Sequence, residues 1–342
     1  MSRPLQRWKP HQCNFSAPVL VVGCFEELEE NSSKAKGKIV VFNQEFVTYG
    51  KTLKYRVQGA SAAAKAGAVA ALVRSLTPMS INSPHTGYML YDENATMIPT
   101  ASITVEDAEL LARLQERGTE PVVKLVMGAM SLPPAVSRNT IAEIRGDSKP
   151  EEVVLLSGHL DSWDVGQGAM DDGAGAFISW RALAVLRRLG LKPSRTLRCV
   201  LWTGEELQTM GATEYFRRHF AREQHLMNLV MESDSGTFRP LGLSYTGSNE
   251  LARCIVAEVL GLFASINATR LTLGASAPDL SSWIKEGVPG ASLSTANEKY
   301  FYFHHTEADT MSVLDRHELD LCTALWAAAS YIFADLSMNL PR

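Results

Sequence analysis

The stretch Ser157–Gly173, read Ser-Gly-His-Leu-Asp-Ser-Trp-Asp-Val-Gly-Gln-Gly-Ala-Met-Asp-Asp-Gly, places His159, Asp161, Asp164, Asp171 and Asp172 directly after the apolar run Val153–Leu156. Further along stand Gly204-Glu-Glu206, Glu232-Ser-Asp234 and His304-His305. Nitrogen and oxygen donors without a thiolate suit zinc in a catalytic site with an open position. A carboxylate left over beside them can move protons. Two dications about 3.5–4 Å apart repel each other, so one carboxylate must bridge them and others must cap each side. One ligand set that meets this demand puts His159 and Asp234 on the first ion, Glu206 and His305 on the second, and Asp171 between them. Neighbours in an extended loop point opposite ways, so Glu205 can face the reacting centre while Glu206 binds metal. Asp161, two residues after His159, lies on the same side and can accept the imidazole's second N–H. Asp172 is placed to cap a helix that begins near Gly173. Taken singly, His-x-Asp, Asp-Asp-Gly and Glu-Glu are ordinary surface or helix-entry patterns. Their joint occurrence in order is not ordinary.

The elements that would hold these residues alternate. Strands are read at Thr140–Ile144, Val153–Leu156, Leu197–Trp202, Leu229–Met231 and Ala291–Leu293. Helices are read at Ala174–Leu189, near Leu207–His219, near Leu251–Phe263, at Asp279–Glu286 and from about Asp315, the last with apolar residues at 322, 325, 326, 329, 332 and 333. Such alternation implies an α/β fold with a largely parallel sheet flanked by helices. Ligands in open α/β sheets collect beyond the carboxyl ends of strands, where His159, Glu205-Glu206 and Asp234 each fall. His304-His305 follow an aromatic loop, Tyr300-Phe-Tyr-Phe303. Upstream, a smaller α/β unit shows a strand at Lys38–Phe42, a helix over Tyr55–Ala70, an apolar run at Val69–Val73, a strand-like Ile98–Thr104, a helix entered at Thr104 with Asp107 three residues on, and a strand at Val122–Val126. Its single histidine, His85, reads as a loop or hydrogen-bonding residue. The expected division is an irregular lead-in over 1–17, a small domain over 18–130, a Pro-marked linker over 131–139 and the larger domain over 140–342.

With 342 residues, 46% of them hydrophobic, the chain can bury the core of two domains. A net charge of -4 without a basic block argues against a nucleic-acid surface. No apolar run reaches the roughly 18–20 residues of a membrane span. The five cysteines (Cys13, Cys24, Cys199, Cys254, Cys322) include no Cys-x-x-Cys pair, which speaks against a thiolate zinc site or a disulfide scaffold. Asn14, Asn31, Asn94 and Asn267 each open an Asn-x-Ser/Thr sequon. The first ten residues carry positive charge with no apolar stretch behind them, so no secretory signal is read there.

The strings Ser157–Gly173, Gly204-Glu-Glu206, Met231-Glu-Ser-Asp234, Trp283–Leu293 and Phe303-His-His-Thr-Glu-Ala-Asp-Thr310 together resemble the co-catalytic dizinc aminopeptidases and carboxypeptidases. Gly37–Asn43, Ser83–Gly87 and Ile98–Ala108 resemble the protease-associated-like domain inserted in some of them. The resemblance spans about residues 18–342. It implies a zinc exopeptidase fold (phosphorylase/hydrolase-like) with a protease-associated-like α/β domain and two Zn2+ per chain. The family's metal positions fall on His159, Asp171 (bridging), Glu206, Asp234 and His305, its general base on Glu205 and its brace on Asp161. The choice of His305 over His304 rests on the Thr-x-x-Asp that follows. His304 takes a position where related enzymes can place a group that stabilises the oxyanion.

The expected activity is hydrolysis of unblocked dipeptides or short peptides, of carboxypeptidase or dipeptidase type, by a metal-bridged water with Glu205 as base. An aminopeptidase acting on longer peptides is an alternative. The family's chain ordinarily opens with a signal peptide, a pro-segment and the first part of the peptidase domain, for which no counterpart is seen. An N-terminally truncated, inactive isoform acting as a binding module is therefore a further alternative. By resemblance a homodimer is expected, and a secreted or lysosomal (endoplasmic reticulum–Golgi) location.

Overall fold

The computed structural model describes residues 12–130 and 132–342. They form two compact units, one holding the chain up to Val136 with Phe301–Glu307, the other Ser137–Tyr300 with Ala308–Arg342. A single cut in the linker does not describe this division. Phe301–Glu307, expected in the larger domain, groups with the first unit.

The first unit carries β1 (Gln12–Val22), β2 (Ile39–Phe42), β3 (Ala70–Arg74), β4 (Thr100–Ile103) and β5 (Val122–Gly128) in the order β4-β3-β2-β1-β5. The first four are parallel and β5 runs antiparallel to β1. Successive strand residues face opposite sides. Val40, Phe42, Ala71 and Val73 therefore meet Tyr55 and Ala63 of α3 (Tyr49–Lys65), while Ile39, Val41, Ala70 and Leu72 meet Ala108 of α4 (Val105–Glu116). Short helices α1 (Phe25–Glu30) and α2 (Ser32–Ala35) join β1 to β2. Thr104 caps α4 as its sequence predicts, accepting the Asp107 N–H at 3.0 Å. The Ala-rich helix starts earlier than expected, capped by Thr48, and stops at Lys65; Gly67, at φ +81, turns the chain toward β3. Residues 1–11 of the expected lead-in lie outside the described residues. Residues 12–17 are not irregular but the first half of β1, with Cys13, Phe15 and Ala17 turned inward and Asn14 and Ser16 exposed.

The second unit holds β6 (Thr140–Ile144), β7 (Lys149–His159), β8 (Arg195–Trp202), β9 (Met227–Glu232), β10 (Pro240–Thr246), β11 (Arg270–Leu273) and β12 (Gly290–Thr295), ordered β11-β10-β12-β9-β7-β8-β6. The run β8-β7-β9-β12 is parallel, β6 and β10 pair antiparallel to it, and β11 lies parallel to β10. One face buries Val154, Leu156, Leu197, Cys199 and Met231 against α5 (Ala174–Arg188), α7 (Glu250–Gly261) and α10 (Arg316–Asp335). The other buries Val153, Leu155, Val200 and Trp202 against α6 (Met210–Glu223) and α8 (Ser281–Lys285). Trp326 of α10, fully buried, donates its indole N–H to Ser179 of α5 at 3.0 Å, so its polar atom is satisfied inside the core. The aromatic stretch read as a loop is a helical turn, α9 (Tyr300–Phe303). The α/β architecture and largely parallel sheet follow the sequence expectation; β10 and β11 were not read.

The register sets up the chemistry. His159 ends β7 opposite Trp202, the last residue of β8, and Ser157 stands opposite Glu232, the last residue of β9. Three neighbouring parallel strands thus release their chains at one rim.

Candidate metal centre

Several polar side chains at this rim are held by backbone groups of neighbouring segments. The His159 N–H donates to Asp172 Oδ2 at 2.9 Å, and its ring Nδ1 lies 2.8 Å from the main-chain oxygen of Asp161. A carbonyl oxygen only accepts, so Nδ1 carries the proton and Nε2 is the nitrogen turned to the cluster. Nε2 stands 3.2 Å from Asp171 Oδ1, 3.4 Å from Asp234 Oδ1 and 4.0 Å from Glu205 Oε2.

Asp161 braces His159, but not through the atom expected. Its carboxylate is 3.9 Å from Nδ1 and instead accepts the N–H of Glu205 at 3.0 Å and of Glu206 at 3.2 Å. The chain turns after β7, which brings the Asp161 carbonyl over the imidazole and frees the carboxylate to hold the segment after β8. Asp172 does not cap α5, whose first turn has no side-chain cap at Gly173. It is fully buried under β7, and a Cβ on Gly158 or Gly175 would come within 2.6 and 2.1 Å of its carboxylate oxygens. Those two glycines make the room that lets Asp172 reach the His159 backbone.

Several residues at the site have no role assigned to them from the sequence. Asp309 accepts the N–H of Met170 at 2.7 Å and of Asp171 at 3.1 Å, fixing the segment that presents Asp171. It is the last residue of the Thr-x-x-Asp pattern, which was read only as a marker for His305. Trp163 donates its indole N–H to Glu206 Oε2 at 2.6 Å. Glu232, Asp279 and Tyr300 are buried close enough to feel the cluster's charge. No local motif marks Asp279 or Tyr300.

The donors converge. Donor atoms of His159, Asp171 and Glu206 lie within 4.8 Å of one another, as do those of His159, Asp172 and Asp234. Burial, with repulsion from Asp234, Asp279 and Glu206, pushes the Glu205 carboxyl up to about 9 against the pull of His159. Burial, with Asp171 and Glu206 adding to it, pushes Asp234 up to about 6 although His159 draws it down. Burial works against charging His159, yet the bonds to Asp171 and Asp234 outweigh it and hold the imidazolium form well above its usual range. So much buried negative charge, balanced by one imidazole, keeps protons where a dication would be better matched. The donor set of imidazole nitrogen and carboxylate oxygen fits zinc.

The structure thus gathers His159, Asp161, Asp171, Glu205, Glu206 and Asp234 in the second unit. His304 and His305 group with the first. Their rings stack at 3.6 Å, and His304 meets Tyr49 and Phe301 edge-on. His305, at φ +59, faces the Thr86 carbonyl with Nδ1 at 3.1 Å, and its own carbonyl accepts the Thr86 N–H at 2.9 Å.

Comparison with known proteins bears on both units. Residues 139–330 match Peptidase family M28 and residues 15–111 match the PA domain. Carboxypeptidase Q of Xenopus laevis is 55% identical over 327 residues, covering 96% of this chain and 69% of the relative. Carboxypeptidase Q of Homo sapiens is 52% identical over the same shares. Among solved structures, a Peptidase M28 precursor from Shewanella amazonensis superposes with a TM-score of 0.91 at 32% identity, covering 98% of this chain and 77% of that one. The zinc aminopeptidase BSAP from Bacillus subtilis shares the fold at a TM-score of 0.69 and 20% identity, with 96% and 79% covered.

Proposed function

The chain belongs to peptidase family M28 and is a metallo-exopeptidase, and from that premise we propose that it is a dizinc enzyme hydrolysing unblocked dipeptides or short peptides. The observation that carries this reading is the convergence of His159 Nε2 with Asp171, Asp234 and Glu206 at three adjacent strand ends. In this reading His159 and Asp234 would hold one zinc and Glu206 and His305 the other, with Asp171 shared between them; His305 is assigned on its motif. Zinc in such a site supplies a Lewis acid that polarises the scissile carbonyl and acidifies water.

The remaining work falls to the chain. Glu205 accepts a proton from the attacking water and returns it to the leaving amine. Its high proton affinity belongs to the metal-free cluster; with two dications bound nearby it would fall, and the carboxylate would serve as a base at neutral pH. Asp161 grips the backbones of Glu205 and Glu206 together, so the base and the neighbouring ligand keep a fixed relation. The Trp163 indole orients Glu206, and the Asp161 carbonyl selects the His159 tautomer. His304 is the residue we assign to oxyanion stabilisation.

A panel of unblocked dipeptides, their N-acetylated forms and longer peptides tests the substrate class. Hydrolysis of the unblocked dipeptides, abolished by a chelator and restored by zinc, is the expected outcome. Equal turnover of acetylated dipeptides would remove the dipeptidase reading, and preferential trimming of longer peptides from the amino end would replace it with aminopeptidase activity. No helix among the described residues is long and apolar enough to cross a membrane. The asparagines of three sequons, Asn14, Asn94 and Asn267, are exposed. We read the protein as a secreted or lysosomal homodimeric glycoprotein. Material from a secretory host should lose mass on glycan removal and sediment as a dimer; an unshifted monomer would contradict this.

A further inference from the structure

Arg56 of α3 is a buried cation, 5% exposed, that makes no ion pair among the described residues. Burying a guanidinium without a carboxylate is costly unless its donors are used. Two of them are. Nη1 donates to the Thr86 carbonyl at 3.0 Å and Nη2 to the Tyr49 hydroxyl at 2.9 Å, while Nε finds no acceptor. The group lies against Gly87, where a Cβ would stand 2.3 Å from the guanidinium carbon, and within 6.0 Å of the Tyr49 and Tyr88 rings. A side chain at 87 would have to displace the guanidinium.

The Thr86 carbonyl it grips is the acceptor that faces His305 Nδ1 at 3.1 Å, and the Thr86 N–H donates to the His305 carbonyl at 2.9 Å. Thr86 therefore clamps His305 by both ring and backbone. Because the carbonyl can only accept, the contact places the His305 proton on Nδ1 and leaves Nε2 as the ligating atom. The Asp161 carbonyl does the same for His159. The difference is that Thr86 sits in a loop, outside any strand or helix. A loop carbonyl needs something to fix its direction. We propose that Arg56 is a positioning residue for His305: by anchoring the Thr86 carbonyl, it sets the tautomer and orientation of that histidine for metal binding. This rests on His305 being a zinc ligand, as proposed above.

Outer partners of metal ligands typically contribute about 10–100-fold to metal affinity. The test measures, on the full chain, the affinity of each zinc by chelator competition, with turnover followed at limiting and at excess zinc. Wild type should bind two ions, and failure to do so would sink the dizinc reading itself rather than this inference. In Arg56→Met, one of the two ions should be bound about 10–100-fold more weakly, the other unchanged, and turnover should recover in excess zinc. Arg56→Lys, which keeps the cation and stem but loses the fork, should fall between the two. Unchanged affinity for both ions, or equal weakening of both with no recovery in excess zinc, would overturn the proposal. If Arg56→Met does not fold, Arg56→Lys decides alone: selective weakening of one ion supports the role, and two wild-type affinities reject it.

Discussion

Replacing Glu205 by Gln is expected to lower kcat by about 10³–10⁴-fold while the protein still carries two zinc ions. The side chain keeps its size and its place at the rim, 4.0 Å from His159 Nε2, but the amide cannot take a proton from water. A loss of that order corresponds to about 4–5.5 kcal/mol of transition-state stabilisation. KM should change little, because the affected contact is made in the transition state rather than on binding. Metal analysis alongside steady-state kinetics checks this. Zinc lost in parallel with activity would make Glu205 a ligand and leave the general base unassigned.

Asp171→Ala is expected to have the second large effect, removing both ions and all measurable activity. Asp171 is buried, lies 3.2 Å from His159 Nε2, and shares close clusters with His159 and Glu206. A bridging carboxylate is the one ligand whose loss exposes each ion to the other's charge. The metal-free protein should respond in the opposite sense. Asp171 raises the proton affinity of Asp234, Asp172 and Asp309 by repulsion, so its removal relieves strain among buried carboxylates. The Asp234 carboxyl moves from 3.8 to about 6 on folding, so the folded state holds its proton longer than the unfolded chain. Stability from this group is full below pH 3.8 and is lost as pH rises toward 6. Thermal unfolding of metal-free protein at pH 7 should therefore show a higher Tm for Asp171→Ala than for wild type. A lower Tm in the metal-free variant, together with zinc retained by Asp171→Ala in a separate metal analysis, would mean Asp171 is structural.

The parallel-strand core and the residues at its rim were legible because both leave periodic or clustered signals. Val153–Leu156 is a continuous apolar run, as a strand buried on both faces requires, and His159 closes the same strand after Ser157 and Gly158. The helix entry at Thr104 is marked by its cap, and the helix from about Asp315 by its apolar stripe, with Asp315 itself capping it in the structure. The interior of β10 was hidden by Pro240 and Gly242, which interrupt its alternation, and β11 is short and half exposed. Within the site, residue identity was legible and atomic role was not. Asp161 serves through its carbonyl toward His159 and through its carboxylate toward Glu205 and Glu206, a division set by how the chain turns after β7. Asp172 looked like a cap because Asp before Gly commonly is one. It is instead buried beneath His159, in space made by Gly158 and Gly175. Asp309 and Arg56 act through main-chain groups of other residues, Asp171 and Thr86, and nothing in a single sequence says which main-chain group a side chain will reach.

The central claim is a binuclear zinc site with Glu205 standing outside the ligand set. Elemental analysis of purified, zinc-equilibrated protein, counting ions per chain in wild type and in Glu205→Gln, tests it most directly. Two zinc ions per chain are expected in both proteins. One ion or none in wild type, or fewer in Glu205→Gln than in wild type, would contradict it.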